Sequence, residues 1–80
     1  MKKTEITNST SITSIGYDPK EHKMEVSFYK TGDYLYSDVS AEEYCTILST
    51  YEKGGSIGSV VHQIVKGKPY VNLGKEMRKL

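Results

Sequence analysis

Apolar and polar residues alternate strictly from Lys23 to Tyr29. Met24, Val26 and Phe28 stand against Glu25 and Ser27, the period-two signature of a half-buried strand. Before it, "STSITSIGY" is rich in Thr, Ser and Ile and predicts a first strand near residues 11–17. The two are joined by "DPKEHK", where Asp18 and Pro19 supply turn chemistry. The next turn and a third strand follow in "YKTGDYLY". A two-residue Thr31-Gly32 turn would demand positive φ from a β-branched residue. A three-residue Lys30-Thr31-Gly32 loop demands it only of Gly32 and is favoured. That register pairs Phe28 with Tyr34 and Val26 with Tyr36. Both tyrosines then join the core face, and Tyr29 and Leu35 share the opposite one.

The period then changes. Tyr44, Ile47, Leu48 and Tyr51 fall at i, i+3, i+4 and i+7, one stripe of a helix. Ser40 and Glu43 form a capping box, and Val39 and Tyr44 occupy the staple positions. Gly54 or Gly55 ends the helix. Ile57, Val60, Val61, Ile64 and Val65 make a second stripe, capped by Ser56 or Ser59 and ended by Gly67. Its β-branched residues make it a weak helix that packing must hold, with a buried strand as the alternative. After Pro69, "YVNL" reads as a short extended piece and "GKEMRKL" as a basic tail. The expected fold is α+β: a three-stranded antiparallel meander covered on one face by two helices, β-β-β-α-α. Residues 1–8 form a polar lead-in, 9–70 a single domain and 71–80 the tail.

Eighty residues make one domain with a small core, burying about 60% of the surface that the unfolded chain exposes. The single Cys45 excludes an intrachain disulfide and fits a reducing compartment. It lies beside the first helical stripe and reads as a small hydrophobe. No apolar h-region follows Lys2 and Lys3, and no apolar run approaches a membrane span, so the expected location is the cytoplasm. His22, His62 and Cys45 make no metal set. No carboxylate pair or nucleophile–base spacing stands out. Neither an enzyme, a cofactor nor a metal is expected.

Net charge is +1, but unevenly placed. Residues 53–80 hold six Lys and Arg against Glu76, and residues 4–52 hold three lysines against nine acids. A chain polarised in this way suits an anionic partner, or merely carries a solubilising tail. The stretch "GGSIGSVVHQIVKGK" lacks the Lys-Ser/Thr end of a phosphate-binding P-loop. It remains either an interhelical turn that needs glycine or a helix start that seats an anion. In the second case Lys53, Gly55, Ser56, Gly58 and Ser59 form the locus. His62, Lys66 and Lys68 follow it, and Tyr34, Tyr36 and Tyr70 add stacking surfaces. Seven of the eight aromatics are tyrosine.

Three functions follow as expectations: a module that binds nucleic acid, RNA in particular; a binder of a small nucleotide-like anion at the Ser56 to Ser59 helix start; or a protein–protein or homodimer module with Tyr29 and Leu35 at its interface.

The ordered set of these motifs resembles the KTSC domain family, named for its occurrence at the C-terminus of some lysyl-tRNA synthetases. The resemblance spans residues 9–70. "STSITSIGYD" matches the family's first strand, Met24, Val26 and Phe28 its second, and Tyr34 and Tyr36 a central Tyr-x-Tyr. Val39 and Tyr44 match its helix opening. Ser56, Gly58, Val61 and Val65 follow its second helix, and Pro69 with Tyr70 its closing Pro-Tyr. The family carries an aromatic and an Asn where this chain has Val61 and His62. The synthetase connection implies an RNA-binding role.

Overall fold

The computed structural model describes residues 3–7 and 9–74. Five strands and two helices follow in the order β1 (Lys3–Glu5), β2 (Ile12–Asp18), β3 (Lys23–Phe28), β4 (Gly32–Tyr36), α1 (Ala41–Glu52), α2 (Ile57–Val65) and β5 (Tyr70–Gly74). They form one antiparallel sheet in chain order, β1-β2-β3-β4-β5. The expected meander is its centre, β2 to β4, and the expectation of three strands is corrected to five. β1 escapes sequence reading because "KTE" shows no alternation. β5 falls partly in what was read as tail. The expectations for residues 1–2 and 75–80 lie outside the described residues.

One face of the sheet carries the core. In β2, Ile12, Ile15 and Tyr17 must share it although Ile12 and Ile15 are three apart. A bulge between Ile12 and Ser14 absorbs the extra residue, and Thr13 Oγ1 donates to the Ser27 carbonyl at 3.2 Å. Met24 and Val26 of β3 and Tyr36 of β4 complete the sheet side of the core; Val39, Ile47, Ile57 and Val61 cover it. Full burial stabilises by about 1.5–3 kcal/mol for each such Ile, Val or Met. The lead-in belongs to this core as well. Ile6 is buried, its amide donates to the Thr13 carbonyl at 2.9 Å, and Thr7 bonds the Tyr51 hydroxyl.

The β3–β4 register differs from expectation by two residues. Phe28 pairs with Gly32, Val26 with Tyr34 and Met24 with Tyr36. Tyr29 leaves the strand because its amide donates to the Ser11 carbonyl at 3.0 Å; the turn is Tyr29-Lys30-Thr31. Gly32 keeps the positive φ, +90°. A two-residue shift preserves parity, so Tyr34 and Tyr36 remain on the core face. Leu35 faces the other side in a row with Lys3, Gly16, Glu25 and Val71. Lys3 reaches past Gly16, which has no side chain, to Glu25 at 2.7 Å and lies 3.8 Å from Asp33.

α1 begins at the expected capping box: Glu43 N donates to Ser40 Oγ, and Ser40 N donates to Glu43 Oε1. Its stripe packs as expected on Ile47, with Tyr44, Leu48 and Tyr51 half-buried. Cys45 is exposed, which corrects its reading as a small hydrophobe. Tyr17 stacks on Tyr44 at 4.8 Å and donates to the Val39 carbonyl at 2.6 Å, tying β2 to the start of α1.

Both glycines between the helices have conformational roles. Gly54 sits at φ +78°, the left-handed cap that ends α1. A Cβ at Gly55 would lie 2.8 Å from Thr50 Cγ2 and 3.3 Å from the Thr50 carbonyl oxygen. Thr50 cannot swing away freely, since its hydroxyl donates to the Thr46 carbonyl at 3.0 Å.

Gly55→Ala should therefore lower stability by about 1–2 kcal/mol through overpacking. Urea unfolding measures this; an unchanged midpoint would show that the loop relaxes around the methyl group.

A pH dependence follows from α1. The Ser40 amide holds the Glu43 carboxyl below the ordinary carboxylate range; partial burial opposes this, and the Lys68 ammonium adds to it. A carboxyl lowered by folding stabilises above its unfolded pKa, about 4.3, and loses that contribution as pH falls through the folded value. The melting temperature should fall across that acid window, and less so in Glu43→Gln. Equal acid slopes for the two proteins would refute it.

Candidate functional site

The β4–β5 pairing builds one wall of a cleft. β4 places Tyr34 and Tyr36 on the core face at i and i+2, and the register sets Tyr70 of β5 beside Tyr36. The three rings form a cluster at the sheet margin. Tyr34 and Tyr36 lie 6.2 Å apart at 17°, Tyr34 and Tyr70 5.5 Å apart at 38°, and Tyr36 and Tyr70 5.9 Å apart at 45°. Phe28 meets Tyr34 edge-on at 5.5 Å, a favoured aromatic geometry. Asn72 Nδ2 donates to the Tyr34 hydroxyl at 3.3 Å. Tyr36 is buried and anchors the cluster, whereas Tyr70 is 60% exposed.

His62 and Val65 of α2, then Gly67 and Lys68, line the same cleft as these rings; Ser11 and Thr31 complete it. Its volume is about 650 Å³, within the range of small-ligand sites. The phenol of Tyr36 is pushed up by burial and then by its neighbours Tyr34 and Tyr70. It therefore stays a neutral donor at physiological pH.

The two basic side chains of the cleft differ. Lys68 Nζ donates to the Asp38 carbonyl at 2.7 Å and pairs with Glu43 at 3.1 Å. It braces the approach to β5 against the start of α1. His62 is exposed at the edge of the apolar stripe, and no hydrogen bond or ion pair engages its ring in the contacts above.

The other expected residues lie elsewhere. Gly55, Ser56 and Gly58 border a smaller hollow of about 340 Å³ with Ser9, Thr10, Ser11, Gly54 and Ile57. Ser56 caps α2 and accepts from the Ser59 amide at 3.4 Å. Lys53 caps the end of α1 and Lys66 the end of α2; neither they nor Ser59 line the cleft. The cleft and the hollow adjoin at Ser11, common to both. Tyr29 sits in the β3–β4 turn, 54% exposed, while Leu35 is half-buried within β4. The two therefore lie on different elements.

Phe28, Val65, Thr31, Ser11 and Gly67 were not expected at a site. Phe28 and Val65 read as core from their periodicity, and only the return of the chain through β5 turns their outer edges into cleft walls. Among the described residues, no helix is long and apolar enough to cross a membrane. None of their His, Cys, Asp and Glu side chains form a group of three or more suited to a metal ion.

No curated protein matches the chain. A solved structure of a KTSC domain protein from Yersinia pestis is similar to it, at 26% sequence identity with a TM-score of 0.75, over 91% of this chain and 97% of that one. The KTSC domain profile matches residues 8–70. With the motifs of all three central strands and both helices falling inside that match, the chain belongs to the KTSC domain family.

Proposed function

We propose that this protein is a non-catalytic module that binds single-stranded RNA, with an unpaired base held in the tyrosine cleft. The observation that carries this reading is the cluster of Tyr34, Tyr36 and Tyr70, backed by Phe28, in a cleft about 650 Å³ in volume. Every base presents a π-face, so aromatic platforms bind unpaired bases with little regard to sequence. Tyr70 supplies the accessible ring and Tyr36 the fixed one. The phenols and the hydroxyls of Ser11 and Thr31 offer hydrogen bonds to base edges. An extended strand leaves the cleft toward Lys66 at the end of α2. The glycine loop gains no comparable support, because Gly54 and Gly55 serve the turn and the Ser56 hydroxyl serves the cap.

The test is titration with a labelled RNA oligomer, followed by anisotropy and by tyrosine emission, which no tryptophan obscures. Tyr70→Ala removes a mostly exposed ring and should leave the fold intact. Loss of one stacking platform costs about 1–3 kcal/mol, so affinity should fall by roughly 5- to 150-fold. Equal binding by wild type and Tyr70→Ala, or binding of mononucleotides as tight as that of the oligomer, would overturn the RNA reading.

A further inference from the structure

We infer that His62 is the group that receives the ligand's phosphate, and that it makes binding at the cleft tighten as pH falls. This rests on the base-binding reading of the same cleft. Of the two basic side chains that line it, Lys68 is held by Glu43 and the Asp38 carbonyl. Its departure would release the brace between α1 and the strand that carries Tyr70. His62 lines the same cleft as the tyrosines and is exposed on α2. With Lys68 already engaged, the imidazole is the basic side chain of the cleft left to meet the phosphate of a base stacked on Tyr70. Lys66 follows four residues on, about 6 Å along the helix axis, on an adjacent part of the same surface. The pair forms a short track for a sugar–phosphate backbone.

Imidazolium donates from both ring nitrogens and bears a charge; neutral imidazole donates from only one. A phosphate bound at His62 therefore favours the protonated ring, and by linkage protonation favours the phosphate. Phenols and one ion pair make up the other titratable groups around the cleft. On the sheet side stand Tyr34, Tyr36 and Tyr70, and burial pushes the Tyr36 phenol up. On the α1 side, Glu43 is lowered and remains a carboxylate paired with Lys68. At the end of α2, Lys66 adds a further ammonium group. A phosphodiester does not titrate here, whereas a terminal phosphate monoester has a second pKa near 6.

The experiment measures binding of a short oligoadenylate without terminal phosphates, and of adenosine, between about pH 8 and pH 5.5. Wild type should bind the oligomer at least about fivefold more tightly at the acid end, and adenosine with little change. His62→Gln should flatten the oligomer's profile; His62→Asn, tested beside it, guards against a local effect of either side chain. Lys68→Gln should keep the pH dependence while lowering the melting temperature. If the histidine variants still tighten on acidification, the proton resides elsewhere, at His22 for example, and the inference fails while base binding stands. If Tyr70→Ala binds both ligands as wild type does, the cleft reading itself falls, and the inference with it.

Discussion

The antiparallel pairing of β5 with β4 is the contact on which the cleft depends. The chain leaves the sheet after Tyr36, passes through two helices and returns to pair Tyr70 with Tyr36 and Asn72 with Tyr34. Without that return, Tyr34 and Tyr36 would be rim residues of a four-stranded sheet. With it, they become the inner wall of a groove whose outer wall is Tyr70. The return is also braced from outside the ladder. Ser37 N donates to the Pro69 carbonyl at 2.9 Å, and Lys68 ties the same segment to Glu43 and Asp38. The capping box that starts α1 and the ion pair that positions β5 share one carboxylate. A local helix signal thus reaches the site through a single side chain.

What could be read in advance depended on the range of the interactions. The capping box, both helical stripes, the α2 cap at Ser56 and the core face of β3 are local patterns, and each appears where the sequence places it. The parity of Tyr34 and Tyr36 also stands, since it follows from alternation. The register does not, because it turns on a long-range bond from the Tyr29 amide to Ser11 that no turn rule contains. β1 is invisible for a related reason: three polar residues gain strand identity only from the edge of β2. Ile6 was the sole local hint, one apolar residue in a polar lead-in. At the site, Tyr34, Tyr36, Tyr70, His62 and Lys68 do converge, but Lys68 proves committed to Glu43, and the Ser56 loop is a neighbour of the cleft rather than part of it.

The distribution of charge in space differs from its distribution along the chain. The sequence divides into an acidic first part and a basic last part, which suggests a basic binding surface. Folding brings the parts together: Lys3 lies against Glu25 near Asp33, and Lys68 against Glu43. These pairs are partly buried, and each removes a cation from the set available to a polyanion. The lysines that cap α1 and α2, Lys53 and Lys66, are less encumbered and sit outside the cleft.

This bears on how such a module can discriminate among anions. A site that binds through many lysines draws its affinity from counterion release, about −0.7 in the log–log salt slope per single-strand phosphate contacted. Here the cleft holds four aromatic rings and one histidine not engaged in an ion pair. On the proposed RNA-binding reading, affinity would come mainly from stacking and from hydrogen bonds to the base, with a phosphate contributing one contact. A base paired within a duplex has no free π-face to offer such a cleft. The proposed mode would therefore select for unpaired bases before it selects for charge. The shallow salt slope expected of one or two phosphate contacts distinguishes this mode from a basic tail gripping any polyanion.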